Sequence, residues 1–129
     1  MMNTLKRLCN ELQIPIIGVG TENAVNILHT DKQFASRFEV WELPTWEFNE
    51  DFLRLMLSFE SVLPLKEASN LASPDMARAI FYKSKGNLGN VSRLLERCAV
   101  EAIRTKTEKI NLKTIEKQKN FMSTINGLV

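Results

Sequence analysis

Leu5, Leu8, Cys9 and Leu12 recur at the i, i+3, i+4, i+7 spacing of an amphipathic helix, which predicts a helix over residues 3–12. Pro15 cannot continue it. The run Ile14, Ile16, Ile17 and Val19 is short and β-branched, and it predicts a buried strand ending at Gly18-Val19-Gly20. Thr21 can cap a following helix carrying Ala24, Val25 and Leu28, and Asp31 can cap a shorter one through Phe34 and Ala35. Phe38-Glu39-Val40-Trp41-Glu42-Leu43 reads as a second strand, stopped by Pro44. The first third of the chain thus reads α-β-α-β.

From Trp46 onward the pattern is helical throughout. Asn49 caps a helix with Phe52, Leu55, Met56, Phe59 and Leu63 on one face, and Pro64 ends it. Ser73-Pro74 is a cap with proline at the first helical position, and Gly86 supplies the stop. Leu88, Val91, Leu95, Cys98 and Ala102 line one side of a long helix ending near Arg104, and Asn111 caps a last helix with Leu112 and Ile115. The change of style places a domain boundary at 45/46. The expected fold is an α-rich α/β chain: an α/β segment over 1–45, then a helical domain over 46–129 with a basic C-terminal tail.

Composition narrows the class without changing that picture. At 129 residues, 44% hydrophobic and 25% charged, the balance is globular and excludes collagen-like or largely disordered chains. No apolar run approaches the roughly 20 residues that span a bilayer, and the first residues lack the apolar core of a secretory signal. Two isolated cysteines, Cys9 and Cys98, and the single His29 are too few for an ordinary zinc site and fit reduced thiols in the cytoplasm.

Charge changes the picture more. The net charge of +2 divides into −5 over residues 1–77 and +7 over residues 78–129. Such a division suits a nucleic-acid or acidic-partner surface on the second half, or head-to-tail association of copies; solvated helix faces are the bland reading. At 100° per residue, Arg93, Arg97 and Arg104 fall within about 40° of one another, nearly opposite Val91, Leu95 and Ala102. That stripe can meet phosphates. Against this, Arg97 and Arg104 flank Glu101 at pairing distance along the helix, which favours local ion pairs for all but Arg93. The tail lysines Lys106, Lys109, Lys113, Lys117 and Lys119 have only Phe121 among them as an aromatic, so no single-strand stacking platform is expected.

No GxxxxGK[ST] loop exists in the chain, and neither expected strand ends in the acidic pair that holds magnesium. Gly18-Val19-Gly20-Thr21-Glu22-Asn23 imitates a dinucleotide-binding turn, but Asn23 replaces the third glycine and no parallel sheet follows.

The order of elements resembles a family. Ile14-Pro15-Ile16-Ile17-Gly18-Val19-Gly20-Thr21 is similar to the sensor 1 strand of AAA+ ATPases, and Ala35-Ser36-Arg37-Phe38 to the arginine-finger segment after it. Gly86-Asn87-Leu88-Gly89-Asn90-Val91-Ser92-Arg93 resembles the start of the sensor 2 helix in the lid. Asn10-Glu11-Leu12-Gln13-Ile14-Pro15, Leu43-Pro44-Thr45-Trp46, Ser58-Phe59-Glu60 and Leu63-Pro64-Leu65 look like TniB, the AAA+ regulator of transposons with a TniA-type transposase.

The resemblance covers about residues 3–104. It implies the C-terminal portion of a P-loop AAA+ core, two strands with helices, joined to a helical lid, with Walker A and B upstream of Met1. It implies an ATP- and magnesium-dependent bacterial protein that oligomerises on target DNA and recruits or activates the transposase, these residues alone having no turnover. Thr21 then matches sensor 1 and Arg37 the finger that reaches a neighbouring subunit's nucleotide. The position of the family's sensor 2 arginine is Gly89 here, a departure; Arg93, one turn on, is the arginine nearest that role. A helix cap at Thr21 and an ion pair at Arg37 are the plain alternatives. The two strands would not be neighbours in an AAA+ sheet, which implies burial of their edges by self-association. A second function class stays open: a helical adaptor, with no ATPase activity, binding protein or DNA through its basic half.

Overall fold

The computed structural model describes residues 2–30 and 32–119, and it is helix-rich. Two units divide the chain, residues 1–42 and residues 43–129. Asp31 and Phe121 lie outside the described residues.

The first unit holds α1 (Met2–Leu12), α2 (Glu22–Thr30) and α3 (Lys32–Ala35). Helix α1 carries the leucine spacing read from the sequence and ends two residues before Ile14, well ahead of the ring of Pro15. Neither expected strand forms: no residue of 13–21 or 38–46 lies in a strand. This corrects the α/β assignment of the first third. A strand exists only through its ladder, and no described segment pairs with either run. Ile17 and Val19 are 90% and 93% exposed, Trp41 and Leu43 80% and 93%, so β-branched and aromatic content here does not mark burial.

The second unit holds α4 (Glu50–Val62), α5 (Pro74–Ser84), α6 (Leu88–Arg104) and α7 (Leu112–Lys117). Asparagine sets three of the four starts. The Oδ1 atoms of Asn49, Asn87 and Asn111 accept from the amides of Phe52, Asn90 and Thr114 at 3.1, 3.1 and 2.9 Å. Helix α5 instead begins with Pro74, whose missing N–H removes one donor that would need a cap, and Ser73 makes no side-chain cap bond. Helix α4 stops before Pro64, with the Leu63 amide closing on the Phe59 carbonyl.

Between α5 and α6 the chain reverses through Lys85 and Gly86, both left-handed at φ 53° and 68°. A β-carbon at Gly86 would collide with the Trp46 carbonyl oxygen. The backbone approaches that closely because the Trp46 amide donates to the Gly86 carbonyl at 2.7 Å. The segment leading into α4 is thereby fastened to the α5–α6 turn.

One apolar core lies inside this unit. Phe52 and Met56 of α4 meet Ala77 and Ile80 of α5, Leu94, Leu95 and Cys98 of α6, and Ile115 of α7, all at most 1% exposed. Phe48, Phe52 and Phe81 close one side, with Phe52 and Phe81 edge to face at 5.3 Å. Two polar ties hold the loops. Glu60 accepts the amides of Ser69, Asn70 and Leu71 at 2.6, 2.7 and 2.8 Å, and Ser69 Oγ accepts the Ile110 amide at 2.9 Å.

Burial pushes the Cys98 thiol up from the ordinary 9.0 to about 12, with the Glu101 charge adding to the rise and Lys83 opposing it. Its Sγ lies 3.9 Å from the Thr114 carbonyl oxygen. In the unfolded chain this thiol ionises near 9, whereas in the folded chain it keeps its proton. The Cys98 contribution is therefore complete below about pH 9 and is lost as pH rises toward 12. Urea midpoints across that window should fall more steeply for the wild type than for Cys98→Ala; parallel profiles would refute the assignment.

Candidate functional site

The candidate positions fall in both units. Thr21 is exposed and stands immediately before α2, its carbonyl accepting the Ala24 amide at 2.9 Å. Arg37 is exposed, and its Nη1 donates to Asn10 Oδ1 at 2.7 Å. Among the described residues this uses one of the five guanidinium donors and leaves most of the fork open to an anion. The partner is a side-chain amide, so the positive charge of Arg37 is not neutralised there. Asn10 lies in the TniB-like stretch over residues 10–15, and nothing in its local sequence signals this contact, which spans 27 positions.

In the second unit Gly89 and Arg93 are exposed, one turn apart near the start of α6. A β-carbon at Gly89 would approach Asn87 Oδ1 at 3.3 Å, so the glycine gives the capping side chain room.

The arginine stripe differs from the sequence expectation in one respect. Glu101 is engaged by the returning tail, accepting Gln118 Nε2 at 2.7 Å and pairing with Lys117 Nζ at 3.6 Å. Arg97 and Arg104, expected to pair with it, are left without a partner among the described residues, as is Arg93. Every other arginine is occupied: Arg7 by Glu11, Arg37 by Asn10, Arg54 by Asp51, and Arg78 over the Phe48 ring at 6.0 Å. The three free guanidiniums line an open groove of about 480 Å³ with Glu96, Val100, Glu101 and Gln118. Position along the helix revealed this row; the occupancy of Glu101 by residues 16 and 17 positions later carried no local signal.

Among the four described glycines, Gly18 faces open space, a β-carbon at Gly20 would meet Ala24 Cβ at 2.8 Å, Gly86 packs on Trp46, and Gly89 sits by Asn87. No group of three His, Cys, Asp or Glu among the described residues could hold a metal ion. No helix among them is long and apolar enough to cross a membrane.

Residues 1–48 match the family model described as the bacterial TniB protein. The first unit is TniB-like. The matched stretch includes Thr21, Arg37 and Asn10, and it is consistent with a transposition-related protein of the TniB family. No curated protein and no solved structure matches the chain.

Proposed function

We propose that this TniB-like chain serves DNA transposition as part of an ATP-dependent regulator that assembles with copies of itself on target DNA and engages a TniA-type transposase in the bacterial cytoplasm. Residues 46–129 act as its helical lid. The supporting observation is the TniB match across a unit in which Arg37 is exposed and, among the described residues, hydrogen-bonded to Asn10 alone. A guanidinium so held suits phosphate oxygens of a neighbouring subunit, since it stays charged and binds two oxygens at once. The Thr21 hydroxyl is the second group offered, and the family's sensor 2 position falls at Gly89, one turn before Arg93.

No P-loop occurs within these 129 residues. ATP and its magnesium would therefore be held by another stretch of polypeptide, and Arg37 would act on them only in an assembly. Arg37→Ala should lower ATP hydrolysis in a transposition reaction reconstituted with the transposase by about 10³-fold while sparing nucleotide binding. Unchanged turnover would remove Arg37 from the role. Asn10→Ala, which frees the guanidinium, should give a smaller loss in the same assay.

The adaptor reading draws on a separate observation, the arginine row of the second unit, which has no partner among the described residues. It requires no nucleotide.

A further inference from the structure

We propose that the arginine face of α6 is a docking surface for the phosphate backbone of duplex DNA. The choice of DNA rests on the transposition reading; the anion preference rests on the side chains alone. Arg93, Arg97 and Arg104 are exposed, share one face and have no partner among the described residues, while every other arginine has one. Of the two carboxylates beside them, Glu101 is compensated by Lys117 and bonded by Gln118, which leaves Glu96 as the one opposing charge without a partner among the described residues.

Spacing decides between small and extended anions. Arg93 and Arg97 are about 6 Å apart along the helix axis, and Arg93 and Arg104 about 16 Å. A single nucleotide's phosphates cannot reach all three, whereas a polymer with a regular row of phosphates can. The face also bears on which polymer. Its apolar member is Val100, 44% exposed, with no aromatic lining the groove. Single strands are held largely by stacking on aromatic rings, so this face favours a backbone whose bases remain paired. Contacts of this kind position DNA without reading its sequence.

The test uses the 129-residue chain, without nucleotide, and a fluorescently labelled duplex of random sequence, with anisotropy recorded as salt is raised from about 50 to about 200 mM. Three phosphate contacts contribute about 2.7 to the slope of log affinity against log salt, about 40-fold over that range. The variant Arg93→Gln/Arg97→Gln/Arg104→Gln should lose that contribution. It changes exposed positions to a good helix former, and an unchanged circular dichroism spectrum verifies the fold. Lys32→Gln/Lys66→Gln/Lys113→Gln removes the same charge elsewhere and should leave the slope within one unit of wild type.

No duplex binding at the lower salt, an equal loss in both variants, or tighter binding of a single strand of equal length would each overturn the proposal. None of these outcomes bears on ATP turnover through Arg37, so the two readings fail separately.

Discussion

Gly86→Ala is expected to destabilise the second unit by about 3 kcal/mol. A side chain in the left-handed region costs roughly 1–2 kcal/mol, and here the added β-carbon also meets the Trp46 carbonyl oxygen, a backbone atom held in place by the Trp46–Gly86 hydrogen bond. Relief requires that bond to lengthen and the chain entering α4 to move away from the α5–α6 turn. For a unit of this size the loss corresponds to a melting temperature lower by about 12–24 °C. Gly86→Asn separates the two causes. Asparagine tolerates the left-handed conformation but carries the same β-carbon, so it should recover about 1–2 kcal/mol of the conformational share and keep the loss due to the collision. A complete rescue by asparagine would show that the collision is relieved cheaply. Lys85→Gly, at φ 53°, should by contrast stabilise by a few tenths to about 1 kcal/mol.

Glu60→Ala is expected to cost a similar amount, about 3 kcal/mol, by leaving the amides of Ser69, Asn70 and Leu71 without their acceptor. Those three bonds hold the turn from which Ser69 Oγ receives the Ile110 amide, so one carboxylate organises both loops beside α4. Glu60→Gln keeps the length but presents an NH2 group where one oxygen accepted, and it should lose roughly half as much. Urea denaturation measures the cost. Hydrogen exchange locates it: the amides of residues 69–71 and Ile110 should lose protection before those of α6. Wild-type stability in Glu60→Gln together with unchanged exchange at these amides would contradict this account.

Signals confined to a few residues were legible in the sequence. Asn49 and Asn111 as caps, Pro64 and Gly86 as stops, and the apolar face of α6 from Val91 to Ala102 depend on residues within about one or two turns, and the structure places them as expected; Leu88, read onto that face, is 48% exposed. The two expected strands do not form because β-branched content is local while a ladder is not. The β-branched run Ile14, Ile16, Ile17 and Val19 reads locally as a strand and still has no paired neighbour among the described residues. The same distinction governs the site. The helical period aligned Arg93, Arg97 and Arg104, yet their freedom depends on Lys117 and Gln118 returning to Glu101. Glu60 carries no local signal of its anchoring role, because its partners lie 9 to 11 residues ahead across a loop. Thr21 and Arg37 have no signature of their own in composition or periodicity; only the TniB resemblance singled them out, and the match over residues 1–48 covers both.

The central functional claim is that Arg37 acts across a subunit boundary on a nucleotide this stretch of chain does not bind alone. It is tested most directly by complementation. A P-loop-bearing TniB-type ATPase whose own finger arginine has been removed is mixed with the 129-residue chain, and phosphate release is followed as the chain is titrated in. Wild-type chain should restore hydrolysis in proportion to its concentration, and the Arg37→Ala chain should not. Equal restoration by both, or by neither when co-sedimentation shows that both have joined the assembly, would contradict the account.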